Sequence, residues 1–352
     1  MPYREIDATA LGVLLRSSRE LAVLDLRPAQ EFGNGAPLHG ANVPAAELSS
    51  RVRELVPNRH TPIALLDADG GLIAQSASEL LELAYTNVQG LAGGLNGNER
   101  LPVVPIRIAG PRLISGEVER SFRTPVTTAG ELAALRRNGA SVIVLDTRSV
   151  AEYEREHIPG SFPAPGGEIL PRFNALVDSP ETHVIVTCAG RSRAVLGAQS
   201  LILAGVANPV STLDFGTLGW VDAGYPLNHG PEQPLQAIRS VDLDFARQAL
   251  ASFAESVPAI DADELQTWLA DASRTTYALD VRLPEDYERA HLPGSVSAPA
   301  GQLGISLGKW VAVQGGRLVL IDADPGVRAL TVGRWFARIG WEVSILKHDF
   351  VN

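Results

Sequence analysis

Wholly apolar runs of four to six residues recur along this chain, such as VIVL from Val142 and LVLI from Leu318, and stretches with apolar residues at helical spacing follow them. Runs of that length without polar alternation are expected of parallel strands covered on both faces. The helical stretches include AVLGAQSLILAG after Arg193 and ALTVGRWFARIG after Arg328, each ending on a glycine suited to a helix C-cap. Another strand phrase then begins, as in EVSIL from Glu342. Strands alternating with helices predict an α/β fold with small parallel sheets flanked by helices.

The alternation is periodic. An opening phrase of strand, acidic residue, arginine and acidic-aromatic pair occurs as LAVLDLRPAQEF from Leu21, VIVLDTRSVAEY from Val142 and YALDVRLPEDY from Tyr277. A turn phrase punctuated by proline and glycine follows each: LHGANVPA at Leu38, HIPGSFPAP at His157 and HLPGSVSAP at His291. A third phrase ends an apolar strand in a loop: PIALLDADGG at Pro62, HVIVTCAGRSR at His183 and RLVLIDADPGVR at Arg317. Asp25 to Asp67, Asp146 to Cys188 and Asp280 to Asp322 are each 42 positions apart, which marks one repeated unit. Three domains are expected, at 1–100, 121–228 and 257–352, with linkers at 101–120 and 229–256. The first linker is proline-rich; the second is expected to carry a helix from Val241 to Phe253. The last repeat lacks the glycine-rich closing phrase, FGTLGWVDAGYPL, of the middle one, so its final segment is expected to pack differently.

Composition narrows the function. With 45% hydrophobic and 20% charged residues the chain can bury a large core. A net charge of −10 offers no basic stripe, which argues against nucleic acid and against anionic membrane surfaces as partners. The first residues mix charges into their apolar positions, and about 18 consecutive apolar residues occur nowhere, so a cytoplasmic protein is expected. The single cysteine, Cys188, rules out an intrachain disulfide and a cysteine-based zinc cluster.

That cysteine stands where chemistry is expected. A lone cysteine in an apolar run is usually a small buried hydrophobe. Cys188 instead ends its run, and Gly190, Arg191 and Arg193 follow within five residues. If the loop Cys188-Ala189-Gly190-Arg191-Ser192-Arg193 curls over the N-terminus of the following helix, its N–H groups and the helix dipole make an anion cradle around the sulfur. A thiolate is expected there, with Arg191 and Arg193 adding positive charge that could hold an anionic substrate.

On these phrases the chain resembles the tandem-repeat rhodanese-like sulfurtransferases. The Asp146-Thr147-Arg148 phrase, the His157-Ile158-Pro159-Gly160 turn, the Cys188–Arg193 loop and the closing phrase around Gly216 and Trp220 carry the resemblance. The middle repeat is similar throughout. The outer two have Asp67 and Asp322 in the cysteine's place and look like inactive copies. The resemblance implies that Cys188 takes sulfane sulfur from thiosulfate or a related donor, holds it as a persulfide and passes it to a thiol or cyanide acceptor. Ala189, Gly190, Arg191, Ser192 and Arg193 would bind the substrate, and neither a cofactor nor a metal is called for.

Other residues have plainer readings. Asp146 and Arg148 could support the loop, but Asp25/Arg27 and Asp280/Arg282 repeat the pair where no cysteine exists, so architectural duty is expected. His157 is matched by His39 and His291, and the mechanism needs no base once the thiolate has formed. The remaining histidines show no metal-ligand spacing. Two alternatives stay open. One is a persulfide relay handing sulfur to a protein partner. The other is a phosphatase or arsenate reductase, disfavoured because four residues, Ala189 to Ser192, separate cysteine from arginine where related phosphatase loops have five.

Overall fold

The structure is a computed structural model that describes residues 3–17, 19–37, 39–98, 101–251 and 257–350, without the side chains of 107–112 and 240. Leu38, which opens the first turn phrase, Phe253, at the end of the expected linker helix, and the outermost residues of the first and last repeats lie outside the described residues.

Among the described residues, three sheets have the same strand order. In the middle one, strands Val126–Thr127, Val142–Asp146, Ser161–Pro163, His183–Thr187 and Val210–Leu213 pair in parallel, with 183–187 central between 142–146 and 210–213. The corresponding central strands are Ile63–Leu66 in the first sheet and Arg317–Asp322 in the last. Every residue of Leu21–Asp25, Ile63–Leu66 and Arg317–Asp322 is buried, as continuous apolar runs require when helices cover both faces. The α/β class with parallel, helix-flanked sheets holds.

The proline-rich stretch between the first two sheets is mostly helical. Strand Val103–Val104 is followed by a 17-residue helix, Ile106–Phe122, which buries Ile114, Ser115 and Val118. Tertiary packing outweighs the weak helical propensity of the sequence there. The second connection carries the helix Ser240–Ala251, as the periodicity predicts. At the far end, strand Glu342–Lys347 joins the last sheet, and the ring of Phe350 lies 3.2 Å from the Arg282 guanidinium carbon.

The repeats share an interior. Strand Val313–Gln314, from the last repeat, adds antiparallel to Leu21–Asp25 of the first sheet. The Tyr277 hydroxyl donates to the Leu55 carbonyl at 2.5 Å, and Glu20 accepts from the Thr275 hydroxyl at 2.6 Å. The middle and last repeats meet face to face through equivalent positions. Gly166 and Ala300 both stand 20 positions after their strand-end aspartates, Asp146 and Asp280, and Gly167 and Gly301 stand 21 after them. Gly166 packs on Gly301, and a Cβ on Gly167 would come within 2.5 Å of the Ala300 Cβ. The contact is therefore a twofold-like pairing within one chain, and a Cβ on Gly167 or Gly301 would force it apart.

Candidate active site

Cys188 follows the central strand His183–Thr187, at the edge of the parallel sheet where ligand sites of open α/β sheets lie. Residues 189–191 turn directly into the helix Ser192–Leu203. Cys188 lies beneath this turn, 2% exposed, with the N–H groups of Gly190 and Ala194 directed at its sulfur. A second element grips the loop from outside. The Thr217 N–H donates to the Cys188 carbonyl at 2.8 Å and the Leu218 N–H to the Ala189 carbonyl at 3.2 Å. Gly216 makes this possible: its φ is +56°, and a Cβ there would sit 2.0 Å from the Cys188 carbonyl oxygen.

The other two repeats reveal what such a loop binds. The Asp67 carboxylate accepts from the Gly70 and Leu72 N–H groups at 2.6 and 2.8 Å. The Asp322 carboxylate accepts from the N–H groups of Ala323, Arg328 and Ala329 at 2.8 to 3.2 Å. Both loops are thus anion cradles filled by their own aspartates. Only in the middle repeat does a polarizable sulfur occupy that position, with the same kind of N–H donors around it.

Burial pushes the Cys188 thiol up from its ordinary value, against the opposing pull of the Arg193 charge and the Ala194 and Gly190 N–H groups; Asp146 adds to the rise. Burial thus works against the thiolate that the sequence leads one to expect. Sequence patterning identifies the cradle but not how completely the loop excludes water, and desolvation disfavours the charged form.

Both loop arginines have carboxylate partners. Arg193, itself buried, makes two hydrogen bonds of 2.7 Å to Glu152. Arg191, about a third exposed, meets Glu119 at 2.5 Å and Asp214 at 3.1 Å. Glu152 is held well below the ordinary carboxylate range, at about 2, because the Arg193 ion pair and the Ser149 hydrogen bonds outweigh its burial. It also closes a capping box on the helix Val150–Arg155 and accepts from Gln302 of the last repeat at 3.3 Å. Glu119, Asp214 and Gln302 escape sequence reasoning, while Glu152 and Gly216 stand in phrases it singles out without being read there as parts of the site. The capping-box spacing Ser149-x-x-Glu152 was the one readable signal among them.

The residues weighed for loop support are tied to neighbours in their own repeat and the linker that follows it. Arg148 clamps Asp146 with bonds of 3.0 and 2.7 Å and donates to the Glu156 carbonyl at 2.6 Å, and the Asp25/Arg27 and Asp280/Arg282 pairs reproduce these contacts. His157 is fully buried and stacked on Tyr153. Its two ring nitrogens meet the Tyr153 carbonyl and Glu232, at 2.9 and 2.8 Å. Among the described residues, no group of three or more His, Cys, Asp or Glu side chains is arranged to hold a metal ion, and no helix is long and apolar enough to cross a membrane.

A sulfur-bearing loop on a five-strand parallel sheet defines a recognisable class. The chain belongs to the rhodanese-like domain family, whose model matches residues 128–223 and 261–352, more than half of the chain. Over 98% of its length it superposes on the crystal structure of thiosulfate sulfurtransferase from Pseudomonas aeruginosa, with a TM-score of 0.91 and 38% identity. It is also similar to a Bacillus subtilis protein named as a sulfur carrier, 36% identical over 61 residues, covering 17% of this chain and 32% of that one. An uncharacterized protein of Synechocystis is 28% identical over 123 residues, covering 35% of this chain and 67% of that one. The chain spans 66% of the Pseudomonas protein and between a third and two-thirds of these two curated relatives.

Proposed function

We propose that this protein is a sulfurtransferase that carries sulfane sulfur on Cys188. The observation that supports it best is the position of the sulfur: it lies among loop N–H groups at the place where the sister loops hold carboxylates. A persulfide anion is matched to such a cradle. The Cys188 thiol first loses its proton to solvent. The thiolate then attacks the outer sulfur of thiosulfate, forming a new S–S bond as the old one breaks, and sulfite leaves with the bonding electrons. An acceptor nucleophile, cyanide or a thiolate, next attacks the outer sulfur of the persulfide. That S–S bond breaks toward Cys188 and restores the thiolate.

In this reading the amides from Ala189 to Arg193 hold the bound sulfur, Arg193 keeps the loop positive, and Arg191 is the cation that an arriving anionic donor meets first. The repeats with Asp67 and Asp322 are inactive rhodanese-like units, because their own carboxylates fill the cradle. The domains are those read from the sequence, and the reducing cytoplasm is the compartment that keeps Cys188 available.

Intact mass spectrometry tests the reading. Incubation with thiosulfate should add one sulfur atom to the peptide containing Cys188, and cyanide should remove it. Absence of any gain from a thiol that still alkylates would overturn it.

A second reading, a relay to a protein acceptor, is favoured by one observation. Phe215, Leu218 and Val221, on the segment that grips the loop, are 54%, 62% and 48% exposed. They form an apolar stripe beside the sulfur of the kind that protein partners cover. Turnover with cyanide and small thiols alone argues for direct catalysis; loading without turnover until a cellular protein is added argues for the relay.

A further inference from the structure

A cavity lies away from the Cys188 loop, where the first repeat, the helix Ile106–Phe122 and the last repeat come together. It measures about 670 Å³, within the range of small-molecule sites. Its walls are mainly apolar, with Phe32 from the first repeat facing Leu307, Phe336 and Trp341 from the last.

The charged groups described in this wall have one sign. In a chain with 40 acidic and 30 basic residues, Arg51 and Lys309 line the cavity and, among the described residues, no aspartate or glutamate does. Arg51 shares its charge with Glu47 at 3.2 Å. The Lys309 ammonium has no carboxylate partner among the described residues and lies 4.8 Å from the centre of the Trp310 ring. Gln314 also lines this wall, and its Nε2 is buried and makes no hydrogen bond. A buried amide donor left empty costs free energy that a ligand acceptor would recover.

We propose that this cavity is a binding site for a small amphipathic anion, an apolar body of one or two rings carrying a single carboxylate or sulfonate. The apolar walls take the body, Lys309 attracts the head group, and Gln314 supplies a directional donor. The site is independent of the sulfur chemistry: it shares no residue with the Cys188 loop.

The test uses the full chain and two probes of equal size and opposite charge, 1-naphthalenesulfonate and 1-naphthylmethylammonium, titrated by calorimetry. The sulfonate should bind at one saturable site, at least tenfold more tightly than the ammonium. Lys309→Met, at an exposed position where folding is not at risk, should remove most of that preference. Leu307→Trp should occlude the cavity and abolish binding, with circular dichroism to verify that the variant is folded. Equal affinity for both probes, a charge preference unchanged by Lys309→Met, or undiminished binding to folded Leu307→Trp would each overturn the proposal.

Discussion

At the scale of the residue, the sulfur of Cys188 is set by two opposed effects, burial against the Arg193 charge and the loop amides. Burial prevails, so the thiol titrates above its ordinary value and the reactive thiolate becomes more abundant as pH rises through that raised value. The rate of carboxamidomethylation of Cys188 by iodoacetamide should therefore still be climbing above the ordinary thiol pKa of about 8.5. Arg193→Gln removes an influence that lowers the pKa and should move the midpoint to higher pH; a midpoint that stays put or falls would show that Arg193 does not act on the sulfur. Cys188→Ser should abolish sulfur loading with no change in fold, measured by mass and by circular dichroism.

At the scale of the element, the cradle is a strand, a tight turn and a helix start, gripped from outside by the segment at Gly216. Gly216→Val combines a positive φ with a Cβ that would collide with the Cys188 carbonyl. The loop must shift, and loading should fall at least tenfold even if the melting temperature drops only modestly. Asp67→Ala is the contrasting case. It empties a cradle in the first repeat, costs on the order of 1–3 kcal/mol through unsatisfied N–H groups, and should leave loading at Cys188 unchanged; loss of activity in a folded Asp67→Ala variant would defeat the assignment of chemistry to the middle repeat. Much of this element was legible in the sequence. The 42-residue spacing locates Asp67, Cys188 and Asp322 at equivalent strand ends, and the glycine that stops the helix in the middle and last repeats is visible at Gly205 and Gly340. What was not legible came from distant positions. The partners of Arg191 and Arg193 stand 72, 23 and 41 residues away, and no local pattern announces such pairings. The helix Ile106–Phe122 was hidden for the same reason, since its stability comes from what it packs against and not from its own composition.

At the scale of the whole molecule, the last repeat is bound to the middle one by charge as well as by close backbone contact. Arg328, one residue later in its loop than Arg193 is in the middle one, reaches out of the last repeat to Glu168 of the middle repeat, and Arg172 meets the same carboxylate at 2.9 Å. All three are buried. Burial acts to raise the Glu168 pKa, but the two guanidinium groups outweigh it and hold the group below the ordinary carboxylate range. A carboxylate depressed in the folded state stabilises that state above its unfolded pKa of about 4.3, and the contribution disappears as pH falls through the folded value. Glu152, at about 2, acts in the same direction from the other side of the interface, where Gln302 reaches it. The molecule should therefore lose melting temperature steeply between about pH 4.5 and pH 2, with the contact between the middle and last repeats giving way as the carboxylates protonate. Glu168→Gln leaves Arg172 without its carboxylate partner and Arg328 with Asp322 alone, at 3.1 Å, and should cost about 3–5 kcal/mol at neutral pH. The same substitution should flatten the acid limb, because one of the groups whose protonation drives it is gone. Thermal melts of both proteins at half-unit intervals from pH 7 to pH 2 decide the matter: parallel curves would show that the buried ion cluster does not join the repeats, whereas a gap that is widest at neutral pH and closes toward pH 2 is what the geometry of Glu168 requires.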